Sequence, residues 1–142
     1  MKKSIVVALG LVIALAGSAA LAAGVGYDPS NGLTAQVINK TGFIYDVPST
    51  ANDNTFGYTT DGTKYYNNPT FSEIAANSSV TYHVGYQPNV TIPVGDQESV
   101  TYVSGTNGCQ FNFNMTPSGL VPSTTEAGCS VDGKNLIIGS SS

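Results

Sequence analysis

The chain has 142 residues, with 5 Lys and Arg against 9 Asp and Glu, and only 10% of its residues are charged. It contains no Arg, no Trp and a single His, so Arg clamps on phosphate or carboxylate are impossible and the basic footprint of a nucleic-acid binder is missing. A His-centred catalytic relay would rest on one imidazole, His83.

The first predicted element is an export signal. Lys2-Lys3 forms a positive start, Ile5 to Leu15 is an apolar run, and Ala20-Leu21-Ala22 supplies a small-x-small cleavage pattern. The run is shorter than the roughly 20 apolar residues that span a bilayer. Residues 1–22 are therefore read as a cleaved signal peptide of bacterial type and residues 23–142 as one mature domain. That domain carries Lys40, Lys64 and Lys134 against all nine acids, a net charge of −6. The expected location is secreted or periplasmic, with no transmembrane segment after cleavage.

Helical periodicity is nearly absent beyond the signal. Short alternating runs are bounded by Gly, Pro and Asn-Asp clusters, the mark of an all-β chain. Leu33 to Asn39 is a predicted strand, Lys40-Thr41-Gly42 a turn, and Phe43 to Val47 a second strand. Phe56 to Thr60 and Lys64 to Tyr66 flank Asp61-Gly62, a hairpin signal. In the run from Val80 to Tyr86, Val80, Tyr82, Val84 and Tyr86 share one face, with Thr81, His83 and Gly85 on the other. Val90 to Val94 and Ser99 to Ser104 read as further strands, Pro93 suggesting an edge or a strand end for the former. The clearest strand is Cys109 to Met115, which should point Cys109, Phe111, Phe113 and Met115 inward. Residues 116–127 read as a polar loop, Cys129 to Val131 and Leu136 to Ile138 as a hairpin around Asp132-Gly133, and Gly139 with three Ser as a frayed tail. The expected fold is all-β: a single antiparallel β-sandwich of about nine or ten short strands.

Cys109 and Cys129 are the only cysteines. An even count in an exported chain favours a disulfide, and two cysteines leave one connectivity. The spacing does not fit a C-x-x-C redox pair, and one His cannot complete a zinc site. The bond should pin the strand at Cys109 to the strand at Cys129.

No other constellation carries chemistry. His83 lies mid-strand with no nucleophile spacing around it, and no G-x-S-x-G elbow occurs. Asn52-Asp53-Asn54 and Asp96-Gln97-Glu98 are local acidic clusters without the order of a calcium loop, and read as turn chemistry. No catalytic residue, metal site or cofactor is expected, and the chain is read as non-enzymatic. The candidate contacts with a ligand or surface are Tyr58, Tyr65 and Tyr66, which flank the Asp61-Gly62 turn beside polar loops.

Four pieces occur in a suggestive order. These are Val37-Ile38-Asn39-Lys40-Thr41-Gly42, the segment Pro69 to Tyr82 with Ile74 and Ser78-Ser79, then Val100-Thr101-Tyr102, then Phe111-Asn112-Phe113. Over residues 33–115 this order resembles the aegerolysin and actinoporin-like β-sandwich proteins. The resemblance implies a compact sandwich that recognises lipid headgroups. The leading functional expectation is thus a binding protein for a lipid or cell surface. The alternatives are a fibre or matrix subunit that self-associates by strand addition, and a glycan-binding or glycan-hydrolysing protein.

Overall fold

The computed structural model describes Gly24 and residues 32–48, 65–67 and 69–139. The signal peptide, the strand at Phe56 to Thr60, the Asp61-Gly62 turn, the Asn52-Asp53-Asn54 cluster, Tyr58 and the serine tail lie outside them.

The described residues hold eight strands in two sheets: β1 (Leu33–Asn39), β2 (Tyr66–Asn67), β3 (Ser78–Tyr86), β4 (Gln97–Ser104), β5 (Asn107–Thr116), β6 (Gly119–Ser123), β7 (Cys129–Asp132) and β8 (Asn135–Ile138). One sheet has the order β2-β3-β1-β8-β7 and the other the order β4-β5-β6. All pairings are antiparallel except one: β1 and β8 run parallel, with Val37 opposite Leu136 and Asn39 opposite Ile138. No helix among the described residues is long and apolar enough to cross a membrane.

The period of two decides which residues go inside. On β5, Cys109, Phe111, Phe113 and Met115 are buried while Gln110, Asn112 and Asn114 are only half-buried. On β3, Tyr82, Val84 and Tyr86 are buried and His83 is exposed. These faces, with Leu33, Val37, Leu136 and Ile138 from the larger sheet and Val100, Tyr102 and Leu120 from the smaller, form one shared core. Aromatic rings join the two sheets: Tyr82 of β3 meets Phe113 of β5 edge-on at 6.0 Å, and Phe71 packs on both.

Two tyrosines add polar ties between the sheets. Tyr66 Oη donates to Asp96 Oδ2 at 2.8 Å, and Tyr86 Oη accepts the Leu120 N–H at 3.2 Å. A covalent tie joins them as well. The Cys109–Cys129 disulfide, with Cα atoms 5.9 Å apart, links β5 of one sheet to β7 of the other. It closes a loop of 20 residues, worth about 3 kcal/mol by the loop-entropy estimate. Such a bond is compatible with an oxidising compartment.

Three expectations are corrected. Phe43 to Val47 is not a strand: Tyr45 and Asp46 make single bridges, to Ile74 and Val103, and Phe43 and Ile44 are exposed. Val90 to Val94 is likewise no strand; Ile92 alone is buried there, between turns at 88–89 and 94–95. Residues 116–127 do contain a strand, β6, in which Leu120 and Pro122 are buried. Pro122 stands at the outer edge of the three-stranded sheet, where a missing N–H breaks no ladder bond. The last hairpin turns through Gly133-Lys134, with Gly133 at φ 64°, a conformation open to glycine at no steric cost.

Burial holds the phenols of Tyr66, Tyr82 and Tyr102 in their neutral form, so each titrates above the ordinary tyrosine range; for Tyr66 the hydrogen bond to Asp96 adds to this. The unfolded state would release these protons near pH 10 and the folded state only above that. Stability is therefore fully present below about pH 10 and falls as pH rises beyond it. Alkaline titration should show a part of the tyrosinate absorbance, that of these three buried phenols, withheld until the folded circular dichroism signal is lost. Phe113→Ala, which removes the ring shared by both sheets, should cost about 3–5 kcal/mol in urea unfolding.

Candidate functional site

Of the tyrosines expected at a surface, Tyr58 lies outside the described residues and Tyr66 is not exposed. Tyr66 is 1% exposed and faces the core, with its hydroxyl on Asp96. Its register explains this: it lies opposite Tyr86, on the inward face of β3, and the two rings meet edge-on at 6.4 Å. Tyr66 is thus corrected from surface contact to core residue. Tyr65 is half-buried, edge-on to Tyr66 at 6.3 Å. His83 is exposed and its Nδ1 sits 2.7 Å from Thr34 Oγ1. Asp96 serves the Tyr66 hydroxyl, and the described residues contain no group of three or more His, Cys, Asp or Glu that could hold a metal.

Of the three exposed large apolar side chains among the described residues, Val121 lies on β6 and the two most exposed lie at the opposite end of β3. Phe43 is 60% exposed and Ile44 57%. They belong to the loop that leaves β1 at Asn39 and meets the start of β3, where Asn39 pairs with Ser78. At about 3.3 Å per residue, the nine residues of β3 put this end about 26 Å from Tyr86 and its partner Tyr66.

One buried polar residue shapes the loop. Asn39 is 1% exposed at the last position of β1. Its Nδ2 donates to the carbonyls of Phe43 at 2.7 Å and Ala75 at 3.0 Å. Its Oδ1 accepts the Thr41 N–H at 3.0 Å and the Thr41 hydroxyl at 2.7 Å. Both donors and both lone pairs of the amide are used, which meets the full cost of burying it. The neighbouring segment is held as well: the Asn77 N–H donates to the Thr41 carbonyl, and Tyr45 exchanges two backbone bonds with Ile74. Gly139, at φ +99°, comes so close that a Cβ there would meet Thr41 Cγ2 at 2.9 Å. Phe43 and Ile44 are thus presented on a clamped loop.

Two recesses flank it. The first, of about 270 Å³, is lined by Ile38, Asn39, Lys40, Asn77, Ser78 and Ser79. Its only charge is the Lys40 ammonium. The second, of about 340 Å³, is lined by Tyr45, the turn into β5, the turn into β7, and both disulfide cysteines. In the first recess, Ser78 Oγ donates to the Ala76 carbonyl at 3.0 Å.

No family model, no curated protein and no solved structure matches the chain. The site rests on its own geometry.

Asn39, Thr41 and Gly42 stand together in the sequence, but the clamp they build is not evident from it. The available signal was an Asn at a strand end followed by Thr-Gly, a pattern in which the amide bonds the backbone two residues on. Asn39→Ala should cost about 1–3 kcal/mol, since backbone groups at Thr41, Phe43 and Ala75 lose their partner. Urea unfolding measures the loss, and hydrogen exchange at the Thr41 amide should quicken in the folded state.

Proposed function

We propose that this chain is an exported, non-enzymatic β-domain that docks on a lipid surface through Phe43 and Ile44. The observation that carries the reading is the pair itself: two large apolar side chains, adjacent and more than half exposed, on a loop that Asn39 holds in place. A fixed loop loses little entropy when it inserts.

Size favours lipid over a protein partner. A stable protein interface takes about 800 Å² from each side. Two side chains at a loop tip offer far less, whereas a bilayer needs no matching surface. Burying what remains exposed of Phe43 and Ile44 is worth about 1–2 kcal/mol each. That is a weak anchor by itself, and the Lys40 ammonium in the adjoining recess supplies a second attraction toward headgroup phosphates. The sequence order that resembles lipid-recognising β-domains points the same way.

Strand addition finds less support. On β6, alternate residues turn their backbone groups away from β5. Leu120 is one of these, and its N–H already bonds Tyr86 Oη. Pro122 is the next and has no N–H. This edge therefore offers no row of free donors to an incoming strand.

Co-sedimentation of the signal-free protein with phosphatidylcholine vesicles, with and without phosphatidylglycerol, tests the reading. The wild type should pellet with vesicles, more so with the anionic lipid, and the Phe43→Ser/Ile44→Ser double variant should stay in the supernatant while keeping its circular dichroism spectrum. A wild type that ignores every vesicle, or a double variant that binds as well, would overturn it.

A further inference from the structure

We propose that the Cys109–Cys129 bond undergoes thiol–disulfide exchange in the folded protein, with Cys129 Sγ as the sulfur attacked by an incoming dithiol. The inference is independent of the lipid reading.

The two sulfurs stand in different surroundings. Cys109 is 2% exposed on the core face of β5. Cys129 is half-buried at the first position of β7, directly after the turn through Ala127 and Gly128. Both line the second recess, about 340 Å³ in volume. Its walls at Gly108, Ala127 and Gly128 are small, and no charged side chain lines it to repel a thiolate. Exchange proceeds with the nucleophile, the attacked sulfur and the leaving sulfur in line. Cys129, half-buried at the recess, is the sulfur an incoming thiolate reaches, and Cys109, 2% exposed, is the one that leaves. Access is one of the factors that set the rate of exchange.

The step balances as follows. A thiolate of the dithiol attacks Cys129 Sγ, the S–S bond breaks, and Cys109 leaves as a thiolate that takes a proton from water. The second thiol of the partner, once deprotonated, attacks its own sulfur in the mixed disulfide. Cys129 is released and protonated, and the partner closes its disulfide. Two electrons pass from the dithiol to the protein. The chemical class of partner is a dithiol such as the paired cysteines of a disulfide oxidoreductase.

The outcome matters because this bond is the only disulfide cross-link between the two sheets: the chain has no other cysteine. After exchange, the sheets lose that cross-link and rest on the shared core, the tyrosine bonds and the chain connections.

The test uses the signal-free protein in native buffer, treated with excess glutathione or with dithiothreitol, quenched with an alkylating agent and mapped by mass spectrometry. Glutathione should be found on Cys129, and reduction by dithiothreitol should outpace global unfolding, with a rate that does not change in low urea. Ala127→Trp, at an exposed wall position, should slow reduction about ten-fold by blocking access. Glutathione on Cys109, or reduction that runs at the unfolding rate and rises with urea, would overturn the proposal.

Discussion

The two sheets are a molecule only because their aromatic faces interlock. Tyr82 on one sheet and Phe113 on the other meet edge-on, and Phe71 packs against both rings. This contact explains an unusual composition, eight Tyr and five Phe with no Trp. A tyrosine can bury a ring and still reach a polar partner at the far side of a thin core. Tyr66 and Tyr86 do this, each carrying its hydroxyl to a backbone or carboxylate of the opposite layer. These two tyrosines are therefore crossbeams, and the surface role expected of Tyr66 gives way to this one.

Much of the frame is readable in the residues. The alternation from Cys109 to Met115 and from Val80 to Tyr86 predicts which side chains are buried, and the disulfide follows from a count of two. What escaped reading has physical reasons. β6 hides in a Pro- and Ser-rich stretch because an edge strand tolerates a proline that a central one would not. Phe43 to Val47 has the composition of a strand, but Asn39 draws the Phe43 carbonyl back to β1 and leaves the segment bent. The parallel pairing of β1 with β8 depends on two segments far apart in sequence, which no local pattern encodes.

The candidate site was less legible than the fold. Aromatic residues beside turn residues suggest a surface cluster, yet the register of β2 against β3 turns Tyr66 inward. The exposed pair, Phe43 and Ile44, looks like strand interior until the loop is seen. Recognising it requires knowing that Asn39 is buried with all of its amide bonds made. A polar residue at a strand end is common; one whose amide ties the next four residues to Ala75 is visible only in three dimensions.

The parallel pair also bears on how the domain comes into being. The Gln36 N–H bonds the Asn135 side chain across 99 residues of sequence, beside the ladder that joins β1 to β8. Closing so long a loop costs entropy before it yields any packing. Until β8 arrives, β1 has a bare flank and β7 has no neighbour within the larger sheet. The last hairpin thus works as the keystone of that sheet.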